Sequence, residues 1–211
     1  MAYEVISRQA AGMWGAAGQW EFDILQGLQG IHGPWLDRMM TFITGLADHG
    51  ELWLLLGVLF LCFSKTRRLG ATVLLAAGLG FVTGNLILKN LFARSRPCWL
   101  MPQIPLLIPV PMDYSFPSGH TLVSFEGAFS VWRHNRRWGI MALAAAAAIA
   151  FSRMYLFVHF PTDILGGMVL GIVNGWAAEK MVSRLTDDKP LQNGKAKEKV
   201  TVHTMANHSA D

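Results

Sequence analysis

Nineteen consecutive uncharged residues, from Gly70 to Leu88, lie in the longest uncharged stretch of this chain. As a helix, a stretch of this length can cross the hydrocarbon core of a bilayer, which needs about 20 predominantly apolar residues. Four shorter apolar segments accompany it, so the sequence predicts candidate spans at about 50–64, 69–92, 118–133, 136–155 and 161–182. The composition agrees, because only 15% of the residues are charged, whereas about 25% are charged in soluble domains.

Basic residues between the apolar segments indicate which face of the membrane each loop occupies, because short cytoplasmic loops are rich in Lys and Arg. Hydropathy alone would also allow buried helices of a soluble protein, so this signal decides between the two. Three basic clusters follow alternate segments: Lys65, Arg67 and Arg68; Arg133, Arg136 and Arg137; Lys180 and Arg184. They agree on one face, which predicts a cytoplasmic C-terminus and an extracytoplasmic location for residues 93–117 and 156–160.

The two ends of the chain differ from this apolar middle. Within residues 1–48, the segment from Pro34 to Ala47 mixes charged and apolar residues and predicts an interfacial amphipathic helix, with a short sixth span as the alternative. Residues 49–185 form the predicted membrane domain, and the polar residues 186–211 predict a disordered cytoplasmic tail. The expected fold is therefore an all-α, polytopic membrane helix bundle of five to six spans.

The charge and the cysteine content exclude two other classes of function. The net charge of +4 does not indicate a nucleic-acid partner, because the basic residues lie in short clusters rather than along one folded face. Cys62 and Cys98 form no disulfide framework, and no metal-ligand spacing links the histidines or the cysteines. We therefore expect a membrane bilayer as a partner, and neither a metal ion nor a cofactor.

Two cations precede a proline-rich connection on the predicted extracytoplasmic face. Lys89 and Arg96 are seven residues apart, about two helical turns, so both side chains can point the same way if the helix continues past Lys89. The planar fork of Arg and the compact charge of Lys together suit a phosphoryl group. Taken alone, Lys89 is explained equally well as a snorkelling residue. Six prolines between Pro97 and Pro117 exclude a long regular helix after the two cations.

The tetrapeptide from Pro117 to His120 opens the next apolar segment. Ser118 suits a helix N-cap, and Gly119 allows the backbone to approach a ligand closely. The amides and the positive dipole end of a helix N-terminus bind phosphate, and His120 can protonate a leaving oxygen as a general acid. Standing alone, this tetrapeptide would be better explained as a capping serine followed by an unrelated histidine.

A third group of polar residues flanks the predicted tight turn near 156–160, namely Ser152, Arg153, His159 and Asp163. Pro161 suits the first turn of the last helix. Asp163 lies four residues after His159, where a carboxylate can accept from one ring nitrogen and leave the other free to attack phosphorus. Arg153 would then neutralise the developing charge. A structural His–Asp pair across a helix start is the alternative, but it leaves Arg153 at the end of a span unexplained.

An acidic residue also lies within an apolar segment. Glu126 follows His120 in the predicted third span, and an acid inside a membrane is a functional hypothesis by default. We favour a structural hydrogen bond or salt bridge over catalysis, although the sequence names no partner for it.

The three polar groups together resemble the signatures of the type 2 phosphatidic acid phosphatase family. The signatures are Lys89, six residues and Arg96-Pro97; Pro117-Ser118-Gly119-His120; and Ser152-Arg153, five residues, His159, three residues and Asp163. The resemblance covers about residues 50–182. It implies an all-helical, phosphatidic acid phosphatase/haloperoxidase-like membrane domain with an extracytoplasmic site, a phosphohistidine intermediate and no required metal.

The resemblance also assigns a role to each residue of the signatures. His159 corresponds to the nucleophile, Asp163 to its orienting carboxylate and His120 to the acid. The remaining residues would bind the substrate phosphate: Lys89, Arg96, Ser118, Gly119 and Arg153.

The expected function is hydrolysis of a phosphate from a lipid phosphate or diphosphate at the cell membrane. Small family members with such an apolar, proline-rich loop resemble undecaprenyl diphosphate phosphatases, which recycle the carrier lipid of cell-wall synthesis. The alternatives are a phosphatidylglycerophosphate or phosphatidic acid phosphatase, a lipid phosphotransferase, a vanadium haloperoxidase and a non-catalytic lipid-phosphate-binding protein. The apolar spans disfavour a haloperoxidase, because haloperoxidases with a similar site are soluble. The oligomeric state stays open.

Overall fold

The regular structure of the chain is helical throughout the part described by the computed structural model, residues 18–187 without the side chain of His49. The helices are α1 (Gln19–Gln29), α2 (Pro34–Gly45), α3 (Glu51–Leu61), α4 (Arg67–Gly80), α5 (Lys89–Phe92), α6 (Pro97–Leu100), α7 (Gly119–His134), α8 (Arg136–Tyr155) and α9 (Pro161–Asp187). A π-helical segment, Phe81–Leu88, joins α4 to α5, and a 3-10 turn, Asp48–Gly50, precedes α3.

Local sequence signals explain where several helices begin. Prolines occupy the first positions of α2, α6 and α9, where the missing N–H costs no helical hydrogen bond. The hydroxyl of Ser118 accepts from the amide of Thr121 at the start of α7, as predicted. The side chain of Asn135 accepts from the first amides of α8. These caps separate α7 from α8 by a single residue and turn the chain sharply.

The predicted all-α architecture is confirmed, and each predicted apolar segment coincides with helical structure. The segment at 69–92 is continuous from α4 through the π-helical segment to α5, whereas the others correspond to α3, α7, α8 and α9. Within residues 18–187, two stretches are long and apolar enough to cross a membrane, Arg67–Leu100 and Arg136–Tyr155, and Glu51–Leu61 is a shorter apolar helix. Helix α1 was not predicted from the sequence.

Two hydrophobic clusters hold the helices in place. The first joins α1, α2 and α6 to the turn after α8, with Phe22, Met40 and Phe157 among its buried members. The second joins α3, α4, α7 and α8 around Trp53 and Ala146. The turn that carries His159 is therefore packed from the N-terminal helices, and burial of such apolar surface stabilises it by roughly 25 cal/mol per Å².

One close approach depends on a glycine. A Cβ atom at Gly70 would lie 2.6 Å from the carbonyl oxygen of Gly57 and 2.6 Å from the amide of Leu61, so α3 and α4 can cross at this distance only without that side chain. The chain divides into one compact unit that ends at Glu179 and a second that begins at Lys180. The described part of the second unit is the C-terminal end of α9, and most of the predicted disordered tail lies outside the described residues.

Candidate functional site

Lys89 and Arg96 converge on one carboxylate. Lys89 lies at the start of α5, and the helix continues only to Phe92 because Ala93 adopts a left-handed conformation with φ 43°. Both cations are nevertheless buried, and both contact the side chain of Asp113. Nη2 of Arg96 donates to Oδ1 of Asp113 at 2.7 Å, and Nε donates to the backbone oxygen of the same residue at 2.7 Å. The predicted sharing of one anion by the two cations is therefore geometrically possible.

Asp113 was not singled out in the sequence, although it is the only acid between Glu51 and Glu126. Its side chain is 53% exposed. Burial opposes its ionisation, but hydrogen bonds and charge from Lys89 and Arg96 outweigh that effect and hold the pKa of Asp113 well below its usual range. A carboxylate thus occupies the position between the two cations where the sequence places a substrate phosphate.

His159 is buried in the turn between α8 and α9. Its Nε2 lies 3.0 Å from Nη1 of Arg96, which also donates to the backbone oxygen of Val158 at 2.8 Å. Because a guanidinium group can only donate, Nε2 accepts and the ring hydrogen belongs on Nδ1. Phe157 in the same turn has φ 59°, an uncommon conformation for a bulky residue. The turn therefore presents Nε2 with its lone pair toward the cations.

The electrostatic environment keeps this imidazole neutral. Burial, followed by the positive charges of Arg96, Arg153 and Lys89, lowers the pKa of His159 well below its usual value. A neutral imidazole with its hydrogen on Nδ1 and its lone pair on Nε2 is the nucleophilic form.

Asp163 faces the other nitrogen of the ring. Its Oδ2 lies 3.5 Å from Nδ1 of His159, which is longer than an ordinary hydrogen bond. Ser115, another residue not predicted, lies between them: its hydroxyl donates to Oδ2 at 2.5 Å and is 3.5 Å from Nδ1. Oδ2 also accepts from the amide of Phe160 at 2.8 Å, and Oδ1 accepts from Nη1 of Arg94 at 2.6 Å. The two residues predicted to pair are therefore adjacent, and the hydroxyl of Ser115 lies within reach of both.

The start of α7 lies against the same group of residues. The amide of Ser118 donates to the backbone oxygen of Asp163 at 3.2 Å, which joins α7 to α9. A Cβ atom added to Gly119 would lie 3.7 Å from Nζ of Lys89, so the helix N-terminus approaches the cation. The backbone at Ser118 and Gly119 is thus within reach of an anion held by Lys89.

The two remaining predicted residues have partners from the N-terminal part of the chain. Nε2 of His120 lies 2.8 Å from Oδ1 of Asp48. Arg153 is buried, and its Nη1 donates to the hydroxyl of Thr44 at 2.5 Å. Its Nε has no hydrogen-bond partner among residues 18–187. A buried guanidinium with a donor to spare is suited to an additional anionic ligand.

Residues 65–187, more than half of the chain, match the PAP2 superfamily. The chain belongs to this family.

Individual PAP2 proteins resemble the chain over most of its length. It is 33% identical over 139 residues to an undecaprenyl-diphosphatase of Sulfolobus acidocaldarius, which covers 64% of this chain and 66% of that protein, just under two thirds. It is 28% identical over 160 residues to undecaprenyl-diphosphatase BcrC of Bacillus subtilis, covering 74% of this chain and 80% of that protein. The crystal structure of a PAP2 type phosphatidylglycerolphosphate phosphatase from Bacillus subtilis superposes with a TM-score of 0.66 at 27% identity, covering 90% of this chain and 96% of that chain.

All eight predicted site residues of this PAP2 chain lie inside the region matched to the family. Thr44 and Asp48, which contact Arg153 and His120, lie before that region. The sequence gives one indication for Asp48, its position shortly before an apolar helix, and that indication names no partner. The structure, and not the family signatures, therefore identifies the partners that α2 and the 3-10 turn contribute to Arg153 and His120.

Glu126 has a structural partner away from these residues. Its Oε1 accepts from Nδ2 of Asn174 at 2.9 Å, and the same nitrogen donates to the hydroxyl of Thr83 at 3.0 Å. These bonds join α7 to α9 and to the π-helical segment. They support the structural interpretation of this acid that the sequence favoured.

Proposed function

We propose that this PAP2 protein is an integral-membrane phosphatase that hydrolyses a phosphate from a lipid phosphate or diphosphate through a phosphohistidine on His159. The observation that carries the proposal is the position of Nε2, 3.0 Å from Nη1 of Arg96, which shares the Asp113 carboxylate with a second buried cation, Lys89. A phosphate held by these cations would present its phosphorus to a neutral imidazole. The charge that develops on the phosphoryl oxygens would be stabilised by groups already in place.

In the first step, Nε2 of His159 forms a bond to phosphorus while the bond from phosphorus to the lipid oxygen breaks. The electron pair of that bond goes to the leaving oxygen, which takes a proton from His120. Because Nε2 of His120 donates to Asp48, the transferred proton is the one on Nδ1 of the protonated ring. Burial and the charge of Arg153 lower the pKa of His120 to about 4, whereas Asp48 favours the protonated form. The phosphorylated imidazole of His159 keeps its Nδ1 hydrogen and becomes cationic, so the negative charge of Asp163 stabilises it.

In the second step, water attacks phosphorus and the bond to Nε2 breaks, which returns the electron pair to the ring. His120 accepts the proton from the water, and inorganic phosphate leaves. Lys89, Arg96 and Arg153 stabilise the phosphoryl oxygens in both steps. Ser118 and Gly119 contribute the N-terminal end of α7.

A bilayer location with five to six spans is part of the same proposal. Large apolar side chains point outward from the helices, such as Leu55 on α3 and Ile140 on α8, which are 70% and 63% exposed. The site residues lie at the start of α5, directly before α6, at the start of α7 and around the turn after α8. The basic clusters at 65–68 and 133–137 lie at the opposite ends of these helices, which supports an extracytoplasmic site. In this arrangement 1–48, 49–185 and 186–211 form the N-terminal region, membrane domain and cytoplasmic tail.

The preferred substrate is undecaprenyl diphosphate, because relatives of this chain carry the name undecaprenyl-diphosphatase. A phosphatidylglycerophosphate is the second candidate, since a phosphatidylglycerolphosphate phosphatase has a similar structure over 90% of the chain.

The test is phosphate release by the purified protein in detergent. The substrates compared are undecaprenyl diphosphate, phosphatidylglycerol phosphate, phosphatidic acid and the soluble ester p-nitrophenyl phosphate. We expect a preference for a lipid phosphate, and a clear preference for the soluble ester would overturn the lipid assignment. Full activity is expected in a chelator, because three cationic side chains meet the phosphate charge, and strict dependence on added divalent metal would contradict this.

Two histidine variants test the mechanism. His159→Ala should abolish turnover and the acid-labile phosphate label on the protein, whereas His134→Ala, at the C-terminal end of α7, should leave both unchanged. Phosphate release at the wild-type rate by His159→Ala would show that His159 is not the nucleophile.

A further inference from the structure

Helix α1 places an acid in contact with the residues behind the candidate nucleophile. Glu21 lies in the first turn of α1 and is only 3% exposed. Its Oε2 accepts from Nη2 of Arg94 at 2.5 Å. Its Oε1 accepts from both the amide and the hydroxyl of Thr162, at 3.1 and 2.6 Å. An acid buried this deeply needs such a set of partners, because an uncompensated buried carboxylate is strongly unfavourable.

Arg94 connects this acid to Asp163. It is 7% exposed, and its Nη1 donates to Oδ1 of Asp163 and to the hydroxyl of Thr162, both at 2.6 Å. The guanidinium lies over the ring of Phe160, 4.3 Å from its centroid. The backbone oxygen of Arg94 also accepts from the amide of Ser115 at 2.8 Å. Both the main chain and the side chain of Arg94 are thus tied to the surroundings of Asp163.

These contacts determine which partners each of the two carboxylate oxygens of Asp163 binds. Arg94 takes Oδ1, so Oδ2 is left to Ser115, to the amide of Phe160 and to the Nδ1 side of the His159 ring. Without Glu21 and Thr162, the flat guanidinium would have fewer bonds to fix its orientation, and Asp163 would lose its support on Oδ1.

The charges of this group also suit the reaction. Glu21 and Asp163 carry two formal negative charges and Arg94 one formal positive charge, which gives this buried group a formal net charge of −1. Burial raises the pKa of Asp163, and Arg94 and Ser115 oppose that shift by stabilising the carboxylate. The negative net charge favours the cationic, phosphorylated imidazole over the neutral free one.

We propose that Glu21 and Arg94 are positioning residues: Arg94 orients Asp163 toward His159, and Glu21 of the N-terminal helix holds Arg94 in place. The proposal rests on the proposed function, in which His159 is the nucleophile. It extends the catalytic unit to α1, outside the family-matched residues 65–187.

The test compares Glu21→Gln, which keeps the shape and removes the charge, with Asp23→Asn as the matched control. Asp23 is an exposed acid on the same helix, bonded only to Gln19 among the hydrogen bonds to described residues. Glu21→Gln should lower kcat about 10- to 100-fold with KM unchanged, by analogy with the loss of outer partners of metal-bound histidines. Asp23→Asn should keep the wild-type kcat. A purely structural role would instead lower the amount of folded protein without this split between kcat and KM.

A double-mutant cycle tests whether the two residues act as one unit. In an Arg94→Gln background, Glu21→Gln should change kcat less than about twofold, because the residue it acts through is already lost. Equal fold-losses in both backgrounds would overturn the proposal, as would a wild-type kcat for Glu21→Gln. If Glu21→Gln does not fold, Glu21→Asp and Arg94→Lys are measured in its place, and a wild-type kcat in both refutes the proposal.

His159→Ala is measured in parallel, so that failure of the proposed function can be distinguished from failure of the role proposed for Glu21 and Arg94. An active His159→Ala variant refutes the proposed function itself. An inactive His159→Ala together with Glu21→Gln that behaves like Asp23→Asn refutes only the role of α1.

Discussion

The contact of Asp113 with both phosphate-binding cations predicts that this carboxylate competes with phosphate. Its side chain contacts Lys89 and Nη2 of Arg96, the groups proposed to bind the substrate. An incoming phosphate must displace it to form the same bonds. Asp113→Asn removes the charge but keeps the size of the side chain, and the backbone bond from Nε of Arg96 to residue 113 is unaffected. The variant should therefore bind inorganic phosphate more tightly than the wild type.

The size of this effect follows from the exposure of the side chain. Hydrogen bonds to charged groups contribute about 1.5–3 kcal/mol when they are buried. The Asp113 side chain is 53% exposed, so solvent screening reduces the competing interaction to about 1 kcal/mol. Since 1.4 kcal/mol corresponds to a tenfold change in an equilibrium constant, the inhibition constant for phosphate should fall about fivefold.

The pH dependence of this effect is also determined. The pKa of Asp113 is held well below its usual value, so its interaction with the cations is fully present above the ordinary pKa of 3.8 and is lost only as pH falls through the lowered one. The ratio of the phosphate inhibition constants of variant and wild type should therefore be constant from about pH 5 to pH 8, where the Asp113 carboxyl is ionised in the folded and the unfolded protein.

The assay is inhibition of lipid phosphate hydrolysis by inorganic phosphate, with Glu51→Gln as the control for loss of an acid outside the site. A phosphate inhibition constant for Asp113→Asn equal to or above the wild-type value, in a variant with an unchanged melting temperature, would refute the competition.

Three further predictions follow from other parts of the structure. Burial and the neighbouring cations lower the pKa of His159, so its neutral, active form persists below pH 6.5. The rate of phosphohistidine formation should therefore not fall as pH drops from 8 to 6.5. A half-maximal rate at pH 6.5 contradicts this prediction. A Cβ atom at Gly127 would lie 2.0 Å from a tryptophan ring of α3, so Gly127→Ala should destabilise the protein by about 1–3 kcal/mol in thermal unfolding. Gly78→Ala is the control, because a Cβ atom there would have no atom within 4 Å. Equal melting temperatures of the two variants would refute the packing argument. Asp48→Asn should lower kcat about tenfold for a lipid phosphate, because Asp48 holds His120 and general-acid catalysis contributes about 10²–10⁴-fold. Hydrolysis of p-nitrophenyl phosphate, whose leaving group needs no proton, should keep its rate. Equal losses of kcat on both substrates argue against this role.

The helices and their termini were largely predictable because the signals for them are local. Apolar runs, helix-starting prolines and the capping Ser118 each depend on a few neighbouring residues, and the structure places helices at every predicted segment. The predicted pairing of His159 and Asp163 is local as well, since they are four residues apart. What it could not include is Ser115, which is 44 residues from His159 and shares the contact with Nδ1.

The partners of the site residues were not predictable for the same reason. Asp48 is 72 residues from His120, Thr44 is 109 residues from Arg153, and Glu21 is 73 residues from Arg94. No periodicity links such positions, because their contacts depend on how α1 and α2 pack against the turn after α8. Even the meeting of Lys89 and Arg96 has a different origin from the one predicted, since a left-handed residue ends the helix between them.

The sequence by itself determined the family signatures, the all-α fold and the residues that can handle a phosphate, because these are encoded in short segments. Only the tertiary structure decided which nitrogen of His159 carries the lone pair, because that depends on Arg96 donating to Nε2 across a gap of 63 residues. It also decided that a carboxylate of the proline-rich connection lies between the two cations. Both depend on side chains brought together by packing, which a linear pattern does not contain.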